Sequence, residues 1–217
     1  MDKNNHGKYK ALSLITNAII VVLEIVGLIL SLKRRGLSAF IFYTELSNYL
    51  TLIVSFTFCI YLIISIKNSK ALPFGIYIFR FICTLQLTIT LITVLVVLIP
   101  INPNSFLFLL FKDSNLFQHL LCPILSIMSF LFFEEHKKLH LKSILLSLTP
   151  TFTYGIVLII LNLLKVIKGP YPFFYLYSMP WYICCLFLLG VFIIVISICL
   201  LLNLLKNVIQ RHNKKCH

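Results

Sequence analysis

The sequence has no paired CxxC spacing, no internal repeat, no Gly/Ser-rich linker and no low-complexity tract. The absence of CxxC pairs argues against zinc or thiol redox chemistry. Cys59, Cys83, Cys122, Cys184, Cys185, Cys199 and Cys216 lie mostly within apolar runs and read as inert structural residues. Without repeats or linkers the chain reads as one domain over residues 1–217, a bundle with short connections, and the pattern speaks against a repeat-built transporter. A clustered basic patch is also lacking. The net charge of +13 is dispersed at the ends of apolar segments, whereas a phosphate backbone needs a continuous basic surface. Anionic lipid head groups account for these residues better than nucleic acid does.

What fills the chain is apolar. Hydrophobic residues make up 60% and mean hydropathy is +1.01, more apolar surface than a soluble chain of this size can hide. A spanning helix needs roughly 20 mostly apolar residues to cross a hydrocarbon core about 30 Å thick. Six stretches qualify, at 11–32, 40–66, 74–99, 115–133, 143–166 and 180–205. The predicted fold class is therefore all-α, a multi-pass membrane bundle of six transmembrane helices. The first run ends in Lys33-Arg34-Arg35 rather than in small residues, so it reads as a helix and not as a signal peptide.

Basic loops stay in the cytoplasm. The termini and the loops after the second and fourth helices hold twelve Lys and Arg, the other three loops hold six, and Arg80 falls inside the third helix. Both termini are therefore predicted to be cytoplasmic. Arg80, near the inner end of its helix, reads as a residue that snorkels to the head groups or as a buried functional group. The segment 101–111 breaks the pattern. Its Asn102-Pro103-Asn104-Ser105 turn and Phe106-Leu107-Phe108-Leu109-Leu110-Phe111 run are too short to span, and are predicted to lie in the outer interface near an outward-facing pocket.

Polar residues inside the spans fall in two layers. At 1.5 Å per residue, Thr44, His119 and Thr90 lie about 6 Å below the outer edge, and Asn48, Gln86 and Glu24 about 10 to 12 Å below it. Glu45 sits between the layers. Ionisable groups at such depth are costly, so Glu24, Glu45 and His119 read as a functional cluster facing the interior. The plainer alternative leaves His119 and Glu45 at the wet interface and has Thr44 bonding back to the preceding turn. Thr44, Asn48 and Thr51 share one helix face. Pro123, four residues after His119, lacks an N–H and is predicted to leave the His119 carbonyl unpaired.

The strings Phe42-Tyr43-Thr44-Glu45-Leu46-Ser47-Asn48, His119-Leu120-Leu121-Cys122-Pro123 and Gly169-Pro170-Tyr171-Pro172-Phe173 occur in that order among six apolar helices. In this the chain resembles the androgen-induced-gene/ADTRP-like family of membrane proteins and its bacterial relatives, from the second helix through the sixth. The resemblance implies a six-helix intramembrane hydrolase with a threonine nucleophile and a histidine partner. In characterised animal members the substrates are fatty acid esters of hydroxy fatty acids. On the matching positions Thr44 is the nucleophile and His119 the base, and Tyr171, Pro172 and Phe173 form the loop before the last helix. Where bacterial relatives tend to carry an acidic residue six positions after the proline and another after the Tyr-Pro-Phe loop, this chain has Ser129 and Tyr175.

The chemistry stands on its own terms. A threonine hydroxyl attacks an ester only if a base accepts its proton, and neutral imidazole suits that task near pH 7. Glu24 or Glu45 can orient the base, while Asn48 is either an oxyanion donor or an interhelical tie. The aromatic loop with Trp181 is either an interface anchor or a lining for acyl chains. The expected partners are membrane lipids and a lipid-like ester, in a bacterial cell membrane, with no metal or organic cofactor required. A small-solute carrier and a noncatalytic membrane scaffold are the alternatives.

Overall fold

The computed structural model describes residues 3–135, 137–167, 169–171, 176 and 180–215. In hydrocarbon, backbone N–H and C=O groups find partners only within the protein, which makes helix the natural state of long apolar runs. Among the described residues there is no strand, and six helices are long and apolar enough to cross a membrane. These are α1 (Lys3–Arg35), α2 (Tyr43–Asn68), α3 (Phe74–Ile101), α5 (Leu116–Phe133), α6 (Leu141–Leu163) and α7 (Trp181–Lys215). A short helix, α4 (Phe106–Phe111), lies between α3 and α5.

The predicted spans are found, with shifted ends. Helix α1 runs past both of its predicted limits and α7 past its C-terminal one, because the basic residues at these ends are good helix formers. The expected start of the second helix at residue 40 is displaced. Gly36 adopts φ +58 after the last turn of α1, a 3-10 turn covers Gly36–Ile41, and Phe42 is extended before α2 begins. Thr44 therefore sits in the first turn of α2.

Helix α3 is the axis of the bundle. Every residue from Arg80 to Thr90 is buried, as expected of a helix with partners on all sides. It packs against α2, α5, α6 and α7, while α1 packs on α2 and α5. The main apolar core joins Phe81, Leu85, Phe130, Leu148, Val195 and Cys199. Large apolar side chains such as Val22, Phe56, Leu186 and Leu204 cover the outer faces and stay exposed, a surface suited to lipid rather than water.

The half of the bundle away from Thr44 holds a buried polar cluster around Arg80. Arg80 does not snorkel; it is fully buried, and its Nη2 meets Glu134 Oε1 at 2.8 Å. Ser55, Ser129 and Asn17 extend the network, with Arg80 Nη1 donating to Ser55 Oγ at 3.2 Å and Asn17 Nδ2 donating to Ser129 Oγ at 2.9 Å. Ser55 is eleven residues along α2 from Thr44, roughly 16 Å deeper. Lys206, counted above with the C-terminal loop, is buried in α7, where its ammonium donates to the carbonyls of Phe130 and Glu134 at the end of α5. The physical reason is the same for both cations. A carboxylate and free helix-end carbonyls inside the bundle offer a closer partner than the head groups.

Candidate functional site

Helix α5 opens on a wide turn, Leu116–Leu121, in which the Cys122 N–H reaches back five residues to the Phe117 carbonyl. In that register the Gln118 carbonyl looks toward residue 123, and Pro123 has no N–H to give. Asn48 fills the place. Its Nδ2 donates to Gln118 O at 3.3 Å and to Thr44 O at 2.7 Å. Pro123 does free a carbonyl, but the wide turn moves the vacancy from His119, where the sequence placed it, to Gln118. With its amide hydrogens engaged on two carbonyls, Asn48 is an interhelical tie and not a free oxyanion donor.

His119 is buried, and its Nδ1 lies 2.6 Å from the carbonyl oxygen of Leu109 in α4. A carbonyl only accepts, so Nδ1 carries the proton, and in the neutral ring Nε2 is left with its lone pair. The segment 101–111 thus has a definite local role, orienting the imidazole.

Thr44 is buried in the first turn of α2. Its hydroxyl bonds to that of Tyr171, and the backbone of Tyr43 and Thr44 bonds to the same phenol oxygen. Burial raises the Tyr171 pKa, and these hydrogen bonds pull it partly back. The back-bonding expected of Thr44 is instead made by its neighbours, Ser47 onto Thr44 O and Thr51 onto Ser47 O. Among the described residues no hydrogen bond joins Thr44 to His119. The two are linked through Asn48, which holds the carbonyl of Thr44 and that of the residue before His119.

The other predicted residues gather around this node. Glu45 is buried rather than at a wet interface; it accepts from Ser31 Oγ and from Gln118 Nε2, the latter at 2.6 Å. Glu24 bonds to the Cys122 thiol. Thr90 meets Ser47 at 3.2 Å. Gln86 is buried on the stripe of α3 that faces α2, between Cys83, which bonds to Thr51, and Thr90. Pro172 and Phe173 lie outside the described residues. Gln118 and Ser31, which tie Glu45 down, escaped the sequence reading. Gln118 stands beside His119, but nothing in its spacing reveals Glu45 as a partner.

On the far side of Thr44 lies an apolar cavity of about 470 Å³ between α2, α3, α6 and α7, with Thr44, Thr90, Tyr154 and Tyr171 in its wall. Ile156 and Phe192 also line it and remain exposed on the lipid-facing surface, so the cavity borders the membrane. Tyr171 belongs to this lining, whereas Trp181 is 78% exposed and suits the anchor role. Among the described residues no group of three or more His, Cys, Asp or Glu could hold a metal ion. The chain matches no protein-family model, no curated protein and no solved structure.

Proposed function

We propose that the protein is an intramembrane lipid-ester hydrolase in which Thr44 is the nucleophile and His119 the base, as the resemblance to the androgen-induced-gene/ADTRP-like family implies. The observation that carries this reading is Thr44 in the wall of an apolar cavity that borders lipid. An acyl chain enters between Ile156 and Phe192 and brings its ester carbonyl to Thr44. His119 Nε2 takes the hydroxyl proton as Thr44 Oγ attacks and gives it to the departing alkoxide. Water then attacks the acyl-threonine, its proton passes through His119 to Thr44 Oγ, and the free acid leaves. Binding must replace the Thr44–Tyr171 hydrogen bond with one to His119, a tightening common between free and substrate-bound enzymes. No metal or organic cofactor takes part. Membrane lipids are the surroundings and the substrate source, both termini face the cytoplasm, and the membrane is a bacterial cell membrane.

Purified protein offered fatty acid esters of hydroxy fatty acids is expected to release free acid. Thr44→Ala and His119→Ala, checked for folding, are each expected to lose about a hundredfold or more of that rate. Undiminished hydrolysis in Thr44→Ala would end the proposal. A second reading, a small-solute carrier, draws on one observation. The buried Arg80, Glu134 and Lys206 cluster puts polar groups in the half of the bundle opposite Thr44, and a carrier needs polar groups in both halves.

A further inference from the structure

Helix α1 ends in three cations, Lys33, Arg34 and Arg35, on the side predicted to face away from the cytoplasm, where membrane proteins carry fewer basic residues. Among the described residues no carboxylate pairs with Arg34 or Arg35. The charge of Glu45 reaches Arg35, but its two oxygens are taken by Ser31 and Gln118. Arg34 and Arg35 also repel one another. A bound anion would relieve that repulsion.

Each guanidinium leads by contacts to one member of the proposed catalytic pair. Arg35 stacks on Phe42, its Cζ 4.0 Å from the ring centre. Phe42 meets the Tyr171 ring edge-on, with 6.4 Å between centroids, and the Tyr171 phenol bonds to Thr44. Arg34 Cζ lies 5.5 Å from the ring centre of Phe108, on the short helix α4 whose Leu109 carbonyl holds His119. Its Nη2 donates to Ser114 Oγ at 2.9 Å and to Asn115 Oδ1 at 3.0 Å, while Nε and Nη1 are buried with no partner. Both charges act on the His119 ring, and that of Arg35 acts also on the Tyr171 phenol. Arg35 is only half-buried, so its donors can meet a ligand. A guanidinium is the side chain best matched to a carboxylate or a phosphate.

We propose that Arg35, with the charge of Arg34 behind it, binds an anionic group, carboxylate or phosphate, on the alcohol half of the lipid ester. This rests on the hydrolase reading. The apolar cavity takes the acyl chain, so with the carbonyl at Thr44 the alcohol half points the other way, past Phe42 at the start of α2. Arg35 stands on that ring. Its pairing with the anion fixes the ester's orientation without touching the reacting atoms, which makes Arg35 a residue that selects among substrates.

The test compares esters of one acyl chain that differ in the charge of the alcohol half. Protein in nanodiscs of ether-linked phosphatidylcholine is given the palmitate ester of hydroxystearic acid, the methyl ester of that compound, and palmitoyl glycerol phosphate. The first offers a carboxylate, the second is neutral and the third offers a phosphate. Wild type is expected to prefer at least one anionic ester over the neutral one by about ten- to a hundredfold in kcat/KM, the worth of a charged hydrogen-bonded pair. The preferred anion identifies the source. In Arg35→Gln, which keeps a planar group over Phe42, the preference should fall toward parity. Because the ratio is taken within each protein, it does not depend on how much of the variant folds. No preference in wild type, or one left intact in Arg35→Gln, would overturn the anion subsite while leaving the hydrolase reading standing. Hydrolysis of none of the three by folded wild type would overturn both.

Discussion

Tyr171 acts on the site through one oxygen, which takes up the Thr44 hydroxyl and the first backbone N–H groups of α2. Burial raises its pKa, so the fold favours the neutral phenol. That share of stability is complete below the ordinary value of about 10 and is lost as pH rises beyond it toward the folded-state pKa. At neutral pH Tyr171→Phe is expected to lower stability in detergent by about 1 to 2 kcal/mol, the worth of the lost hydrogen bonds. Above pH 10 the wild type should lose stability faster than the variant; parallel losses would show that Tyr171 does not titrate in this way. Thr44, His119 and Tyr171 were all legible in the sequence as candidates, because Thr44 and His119 are polar residues within apolar spans and Tyr171 lies in an aromatic string before the last one. The Thr44–Tyr171 contact was not legible, since the two residues are far apart in the chain and only the tertiary fold sets Tyr171 beside the start of α2. Arg80 misled for a related reason. Seven residues into a helix a cation looks like an anchor, and only tertiary structure reveals Glu134 beside it.

The wide first turn of α5 follows from one missing N–H and is matched by one side chain on α2. Asn48→Leu leaves the Gln118 carbonyl buried and unpaired, which should cost about 1 to 3 kcal/mol. In a Pro123→Ala background residue 123 regains an N–H, so the same change should cost at least about 1 kcal/mol less. A double-mutant cycle by denaturation in detergent measures this coupling, and strictly additive effects would contradict the account of the turn. The Arg80–Glu134 tie between α3 and the end of α5 makes a second demand. Glu134→Gln alone should cost about 3 to 5 kcal/mol by leaving a buried charge uncompensated, and Arg80→Met with Glu134→Leu together should cost less than either single change. A double variant worse than both would mean that the pair itself stabilises the bundle. At this scale the sequence was informative about helix existence and about Pro123. It was less so about ends, where Lys and Arg continue a helix as readily as they stop it. Glu134 was hidden in the charged string that follows the fourth apolar run, which reads as a loop.

Across the whole molecule α2 and α3 stand between two environments, an apolar cavity bordering lipid and a polar interior toward α1 and α5, with Thr44 and Asn48 both on α2. Six apolar runs made the bundle legible, because hydrophobic length is a property of sequence. The cavity was not, because it is enclosed by residues of four helices, Thr44, Thr90, Tyr154 and Val191 among them, and spacing along a chain does not encode how four helices meet. The proposed sidedness is open to a simple check. A protease site inserted after Gly36 should be cut in intact cells, and one placed after His217 only after permeabilisation; the reverse pattern would invert the bundle and put Thr44 in the cytoplasmic half. The most direct test of the central claim is peptide mass mapping of the protein after reaction with a lipid-like fluorophosphonate in membranes. An adduct is expected on Thr44 that disappears in His119→Ala, whereas an adduct on another residue, or none on folded wild-type protein, would rule out Thr44 as the nucleophile.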